Sequence, residues 1–485
     1  MNTKSPPSLL DLAKMSLLQD KTLAIDSLKS LPRELFPPVF MAAVAGRHSH
    51  ILREMVQAWP FHRLSLGPLM VKVQVQQPYH DILKAALDGL DGLLSQKVQP
   101  KGWKLKVLDL RRNVQTNFWD IWSGTKALTS LWSLEEPETS HSRSKKHKGG
   151  DSRTNEKHPV APVEVITDLF LKEDSPDELF TFLFNRVKQK KSLPRLRCRT
   201  LDVVGIAFEN VEEVLKAMRL DYIQEIEVDC PWDLPTLARF ALHLGQMVNL
   251  NKIHISHIQT TPCLSPETED TLIATVTSQF FGLHRLRELY LDSVLFLEGC
   301  LDQLLRCLKI PLDTLWIMNC VLSVFDLAYL SVCPITNHLR KLCLSGVKLA
   351  SISPECLQVI LEKTSATLRL LDLSECGLTD SQVTVILPAL SHCSQLRILC
   401  CCGNLVSMAV LESLLRNTIP LRNFVWGLFP VPLECYLGTV SPHNLRNVRE
   451  YLENLRLIVQ ELGRRSSVSF STTCAQCGTT KYYVA

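Results

Sequence analysis

One spacing limits what this chain can become: leucine, two residues, leucine, one residue, leucine, two residues, a cysteine or valine, one residue, leucine. It runs as Leu286-x-x-Leu289-x-Leu291-x-x-Val294, then Leu312-x-x-Leu315-x-Ile317-x-x-Cys320-x-Leu322, Leu339-x-x-Leu342-x-Leu344-x-x-Val347-x-Leu349, Leu368-x-x-Leu371-x-Leu373-x-x-Cys376-x-Leu378 and Leu396-x-x-Leu399-x-Cys401-x-x-Asn404-x-Val406. The copies start 26, 27, 29 and 28 residues apart, the period of leucine-rich repeats. Within each copy the leucine-x-leucine step has the period of two that a strand needs to bury alternate side chains. Between copies the pattern is helical: Leu301, Leu304, Leu305 and Leu308 fall at i, i+3, i+4 and i+7. The expectation is an α/β leucine-rich-repeat solenoid, a horseshoe whose strands line its concave face, with helical caps at both ends.

Weaker copies extend the array: Ile223-x-x-Ile226-x-Val228, Leu250-x-x-Ile253-x-Ile255-x-x-Ile258, Leu421-x-x-Phe424-x-Trp426, and Leu105-x-x-Leu108-x-Leu110 after Trp103. The interval of 36 from Leu250 to Leu286 is longer than the others, so Thr260 to Glu269 is expected to form an extra, candidate binding loop. The residue between the two leucines should face the concave side, which gives a column of Tyr290, Trp316, Cys343, Asp372 and Cys400. Tyr290, Trp316 and Asp372 are the candidates for contact with a protein substrate, the two aromatics as anchors. Arg287, Glu288, Arg369 and Arg397 fall near the rim.

The expected organisation is a helical segment over 1–100, a first repeat-like unit over 101–134, a disordered basic loop over 135–160, the solenoid over 161–440, and a capping helix with a tail over 441–485. The loop carries Arg143-Ser-Lys-Lys-His-Lys148, an accessible basic cluster of the nuclear-localisation kind. A second run holds Lys188, Lys190, Lys191, Arg195 and Arg197. Net charge is +4 and the pI near 8.2, too mild to imply direct nucleic-acid binding by itself. No run of 18 apolar residues suggests a membrane span, and the first residues lack the apolar core of a secretory signal.

All 17 cysteines lie from Cys198 onward, mostly at repeat consensus positions or in helices, where they act as small buried hydrophobes. Reduced thiols, and a nuclear and cytoplasmic location, are expected. Cys474-Ala-Gln-Cys477 has metal spacing but supplies two of four ligands, so no metal site and no cofactor are expected. There is no phosphate-binding glycine loop, H-E-x-x-H or G-x-S-x-G motif. Catalysis by this chain is not expected, and a nucleophile built from Cys400-Cys-Cys402 conflicts with Cys401 pointing to the core.

The first hundred residues follow another pattern. Leu9 to Leu28 suits one amphipathic helix stopped before Pro32; a second helix follows the Leu31 to Phe36 turn, and a third runs through Ile51, Leu52, Met55, Val56 and Trp59. The runs Leu31-Pro-Arg-Glu-Leu-Phe-Pro-Pro38, Met55-Val-Gln-Ala-Trp-Pro-Phe61, Trp103-Lys-Leu-Lys-Val-Leu-Asp-Leu-Arg111, Pro162-Val-Glu-Val165, Asp177-Glu-Leu-Phe180 and Asp302-Gln-Leu-Leu-Arg306 resemble the PRAME family (preferentially expressed antigen of melanoma) over nearly the whole chain. The resemblance implies a leucine-rich horseshoe that serves as substrate receptor of a cullin-2 RING ubiquitin ligase, bridged through elongin B and elongin C, with germ-cell expression and repression at nuclear receptors in some members. It also implies where the adaptors dock: Leu17, Leu18, Thr22 and Ile25 resemble an elongin box, and Leu31, Pro32, Leu35 and Val39 a cullin-2 box.

An alternative is a nuclear corepressor that docks on nuclear receptors through L-x-x-L-L strings, at Leu90-Asp-Gly-Leu93-Leu94, Leu301-Asp-Gln-Leu304-Leu305 and Leu411-Glu-Ser-Leu414-Leu415. Buried repeat helices show the same spacing, and the last two strings coincide with such helices. Finally, Leu445, Val448, Leu452, Leu455 and Val459 mark an amphipathic helix within Pro442 to Leu462.

Overall fold

The structure is a computed structural model that describes residues 8–67, 80–95, 104–111, 163–172, 181–182, 185, 195–259, 264–436, 448–463, 467–473 and 480–484. The basic loop at 135–160, Trp103, Lys188, Lys190, Lys191, the first four residues of the Thr260 loop, and Cys474 with Cys477 lie outside them. The chain divides into two units: Met1–Arg199 with Glu213–Arg219, and Thr200–Glu212 with Leu220–Ala485.

The first unit opens with α1 (Leu9–Gln19) and α2 (Lys21–Ser27) in place of the single helix expected from Leu9 to Leu28. Asp20 divides them: its side chain accepts the N–H groups of Thr22 (3.0 Å) and Leu23 (3.1 Å) and so offers the backbone an alternative to continued helix. Ser8 and Asp11 form a capping box at the start of α1. Helices α3 (Phe36–Ala45) and α4 (Ser49–Gln57) follow as expected, and α5 (His80–Ser95) packs on α4. Trp59 lies at the centre, fully buried, with the Phe40 ring 5.2 Å and the Phe36 ring 6.1 Å away edge-on. Its indole N–H donates to the Arg63 carbonyl at 2.9 Å, which ties the helices to a small sheet. That sheet pairs β1 (Arg63–Ser65), β2 (Val107–Asp109) and β3 (Glu164–Lys172) in parallel. Leu105, Leu108 and Leu110 are buried on and beside β2, as the upstream repeat copy predicts. The buried Asp109 carboxylate pairs with Arg63 and, at 3.0 Å, with Arg111.

In the second unit every repeat supplies one strand. After β4 (Arg195–Val204), whose residues 200–204 belong here, come β5 (Glu225–Asp229), β6 (Lys252–Ser256), β7 (Glu288–Asp292), β8 (Thr314–Met318), β9 (Lys341–Cys343), β10 (Leu370–Asp372), β11 (Ile398–Cys400), β12 (Trp426–Pro430) and β13 (Ser467–Thr473). From β4 to β13 each consecutive pair is parallel. Helices return the chain between them: α6 (Phe208–Ala217), whose residues 208–212 belong here, α7 (Leu234–Leu244), α8 (Pro266–Gln279), α9 (Leu301–Arg306), α10 (Val324–Val332), α11 (Pro354–Thr364), α12 (Asp380–Ser391), α13 (Met408–Thr418) and α14 (Val448–Glu461). The consensus leucines fill the layer between sheet and helices; Leu289, Leu315, Leu342 and Leu371 are fully buried. Strands stack about 4.8 Å apart and helices need about 10 Å, so the strand side takes the inside of the bend. This unit is the expected α/β leucine-rich-repeat solenoid.

Long-range polar contacts join one repeat to the next. The buried Asp326 carboxylate accepts the N–H of Gly299 (2.7 Å) and of Leu301 (3.2 Å), besides capping its own helix α10. Asn404 donates to the carbonyls of Leu373 and Cys401, both at 2.8 Å, and accepts from the Leu378 N–H at 2.9 Å. The cysteine or asparagine of the repeat therefore turns inward to hold the backbone where the strand ends.

Strand ends share a left-handed turn. Three residues beyond the column position, Gly205, His257, Ser293, Asn319, Gly346, Glu375 and Gly403 all have φ between 49° and 74°, a conformation that burdens every residue but glycine. From β8 to β11 the position alternates between a side chain and a glycine. A Cβ built on Gly346 would meet the Asn319 Oδ1 at 2.4 Å, and one on Gly403 the Glu375 Cγ at 2.6 Å.

Three expectations are corrected here. The weak copy Leu421-x-x-Phe424-x-Trp426 is three residues out of register: Ile398 pairs with Trp426 and Leu399 with Gly427, so Phe424, Gly427 and Phe429 occupy the inward positions. The long interval before Leu286 holds the 14-residue helix α8, capped by Ser265, so Pro266 to Glu269 are helical and not part of a free loop. Beyond Gly463 the chain is not a plain tail. β13 continues the parallel sheet from β12, β14 (Thr480–Val484) pairs antiparallel with β13, and α14 is the helix between β12 and β13.

Candidate functional site

The expected column is present as one register line. His254 pairs with Tyr290, Tyr290 with Trp316, Trp316 with Cys343, Cys343 with Asp372 and Asp372 with Cys400. Tyr290 and Trp316 are partly exposed. Their rings lie 5.8 Å apart at 31°, and the His254 ring extends the row 5.8 Å beyond Tyr290. The Lys252 ammonium sits 5.3 Å from the Tyr290 ring centre, in cation–π range. The Tyr290 hydroxyl donates to Glu288 at 2.8 Å, and burial followed by that carboxylate raises its pKa, so the phenol stays protonated. Together these make a ledge of three rings on consecutive strands, suited to bind, with the Glu227 carboxylate 3.5 Å from the His254 Nδ1. His254 and Lys252 were missed as ledge members because the 36-residue interval hides their alignment with Tyr290.

Further along, the column closes. Cys343 and Cys400 are buried beside Asp372, whose Oδ1 accepts the Ser374 N–H at 2.9 Å. Burial, then neighbouring charge, pushes the Cys400 thiol up to about 12 and the Cys401 thiol well above its ordinary value. Thiols so protonated are poor nucleophiles. Asp372 is half-buried and shares the column, but no aromatic accompanies it. Among the described residues no group of three or more His, Cys, Asp or Glu side chains could hold a metal, and no helix is long and apolar enough to cross a membrane.

The adaptor boxes are placed less simply. Leu18 lies at the end of α1 and Thr22 and Ile25 on α2, so the elongin box straddles a helix break and its leucine-to-threonine spacing is not one helical turn. Leu18 is buried in its own unit, Thr22 is exposed, and Leu17 and Ile25 are half-buried. In the cullin box Pro32 is exposed, Leu31 and Leu35 are half-buried, and Val39 is buried. Leu18 and Val39 therefore serve the core of this unit and are not free to enter a partner's groove. Leu9, Leu12, Met15 and Leu23 are exposed on the same two helices. Of the L-x-x-L-L leucines, Leu90, Leu93, Leu301, Leu304, Leu305, Leu411, Leu414 and Leu415 are buried and Leu94 is half-buried, so none of the three strings presents a free leucine face for docking.

Along the rim, residues just ahead of the strands form a second line. Each backbone N–H bonds the previous repeat's carbonyl: Arg340 to Asp313, Arg369 to Arg340, Arg397 to Arg369, at 2.7 to 2.8 Å. Asp313 lies between Arg287 and Arg340, 3.5 Å from a guanidinium nitrogen of each.

Comparison with known proteins adds identity to this geometry. The family model described as "PRAME C-terminal domain" matches residues 163–485 and that described as "PRAME N-terminal domain" residues 6–119. Human PRAME family member 12 is 45% identical over 482 residues, covering 99% of this chain and 95% of that protein. Human PRAME family member 20 is 44% identical over 486 residues, covering 100% and 98%. Among solved structures, an internalin of Listeria monocytogenes is 12% identical, covering 78% of this chain and 82% of that one with a TM-score of 0.32. A leucine-rich-repeat protein of Leptospira interrogans is 11% identical, covering 76% and 77% with a TM-score of 0.27.

Proposed function

This chain belongs to the PRAME family, and from that premise we propose that it is the substrate-recognition subunit of a cullin-2 RING ubiquitin ligase. Its coarser role, a protein-interaction adaptor, follows from the family and the repeat fold. In the finer reading the N-terminal helices bind elongin C, with elongin B and cullin-2 joining, and the strand-lined face of the second unit captures a protein substrate. Ubiquitin transfer belongs to the partner subunits; this chain raises the local concentration of its captive.

The observation that carries the reading is the ledge of His254, Tyr290 and Trp316. Large, rigid, partly desolvated aromatics in a row are what dominate protein–protein hot spots. At the other end, docking falls to the box residues that reach the surface: Leu17 and Ile25 for elongin C, and Leu31, Pro32 and Leu35 for the cullin. Each apolar side chain that enters a groove contributes roughly 1.5 to 3 kcal/mol, worth about tenfold or more in affinity.

The test is affinity purification with mass spectrometry of the intact protein beside three variants. Leu17→Ala with Ile25→Ala, and separately Pro32→Ala, are expected to lose elongins and cullin-2 while keeping other partners. Trp316→Ala is expected to keep the ligase subunits and lose a substrate. Recovery of elongins and cullin-2 unaffected by the first two variants would overturn the docking assignment, and a full set of partners on Trp316→Ala would remove the ledge as the capture site.

A further inference from the structure

At the rim of the second unit, three exposed arginines surround an open hollow: Arg369, Arg397 and Arg422, with the Gln395 and Asn423 amides beside them and Phe424 as its apolar floor. Arg369 and Arg397 are adjacent rungs, joined by a backbone hydrogen bond of 2.8 Å, so their Cα atoms sit about 4.8 Å apart. Among the described residues no carboxylate pairs with any of the three. Two like charges on neighbouring rungs repel, so a counter-anion gains from both at once.

The same line shows what such a counter-anion looks like. Two rungs earlier, Asp313 stands between Arg287 and Arg340 and pairs with both at 3.5 Å. Asp313 is the aspartate at a line position that Arg340, Arg369 and Arg397 otherwise fill with arginine. Beyond Arg340 the arginines continue and the aspartate does not recur, which leaves an arginine cradle without its carboxylate.

We propose that Arg369, Arg397 and Arg422 form a binding site for the carboxylates of an acidic polypeptide segment. The proposal rests on the adaptor reading only in taking the ligand to be a protein; it is independent of which assembly the N-terminal helices join. A nucleic acid fits less well. The site offers three arginines, whereas the concave-side line beside it carries the Asp372 carboxylate between Cys343 and Cys400, which opposes a long polyphosphate and tolerates a short run of carboxylates. Paired N–H donors on neighbouring guanidinium groups match the planar, two-oxygen geometry of a carboxylate.

The experiment is fluorescence anisotropy of a labelled oligoglutamate peptide titrated with the full-length protein, at about 50 and about 300 mM salt. The wild type is expected to bind it and to lose affinity at the higher salt. The triple variant R369Q/R397Q/R422Q is expected to bind roughly tenfold or more weakly, with its melting curve unchanged. A control triple variant R306Q/R416Q/R456Q removes the same charge from other exposed arginines and is expected to bind like the wild type. Equal losses in both variants would reduce the effect to net charge and overturn the site. No binding by the wild type, or tighter binding of a single-stranded RNA of matched charge that the first triple variant abolishes, would overturn it as well. Elongin capture is measured on the same preparations: peptide binding without elongin capture sinks the ligase reading and leaves this site standing, and the reverse outcome does the opposite.

Discussion

At the residue scale the sharpest case is Asp109. Burial works to raise its pKa, but the hydrogen bond and charge of Arg111, then those of Arg63, outweigh it and hold the carboxyl below its ordinary value. A depressed folded pKa means stability that is present above the unfolded value near 3.9 and lost as pH falls through the folded one. Asp109→Asn should destabilise the first unit by roughly 2 to 3 kcal/mol at neutral pH, below the full cost of breaking a dry pair because Arg63 stays partly solvated. Urea melts of the two proteins should converge as the pH drops from 5 toward 3; a constant gap would refute the ionic account. Leu18 makes a different point. Amphipathic spacing shows that a residue lies on an apolar face and says nothing about whether that face meets the chain itself or a visitor. Leu18→Ala should cost about 2 to 4 kcal/mol in the stability of the first unit, seen as lost amide protection across α1, α2 and α4. Full protection in that variant would mean that Leu18 is free after all.

At the scale of single elements, the left-handed strand end decides which substitutions a repeat tolerates. Gly346→Ala adds a Cβ at φ 74° and 2.4 Å from the Asn319 amide oxygen, and should cost about 2 kcal/mol or more. Part of that cost is the contact, so Asn319→Gly in the same molecule should restore stability beyond the sum of the single changes, as a double-mutant cycle would measure. Strict additivity would leave only backbone strain. The elements with a strong period were legible in advance: five copies of one spacing specify β7 to β11, and Tyr290 and Trp316 emerge from the same count. Elements that lack it were not. β1 has three residues, β13 and β14 consist largely of serine, threonine and tyrosine, and the Leu421 copy was misplaced because Gly427 occupies the inward position where a leucine was sought. The break between α1 and α2 turns on one aspartate that takes two amides, which an apolar periodicity does not register. The rim arginines at 369, 397 and 422 all follow the repeated Leu-Arg step, but the register of β12 puts Val425 on the rung after Arg397, so Arg422 joins the other two through the hollow.

At the scale of the whole molecule, a leucine-rich array is a row of units that each touch only the next, so its stability is close to a sum of units and junctions. Burial of the consensus leucines is uniform from Leu289 to Leu399, and no single repeat stands out as the nucleus. The functional surfaces are correspondingly separable: the aromatic ledge belongs to β6 through β8 and the arginine cradle to the residues ahead of β10 to β12. Asn319 and Glu375 project where Gly346 and Gly403 make room, so this stretch has an odd-and-even character that the sequence period of one repeat conceals. Excising residues 346–374 would set Asn319 against Glu375, two side chains competing for one gap, whereas excising 346–402 would set Asn319 against Gly403. Shortened by two, the array should melt as a single ordered body; shortened by one, it should fray at the splice.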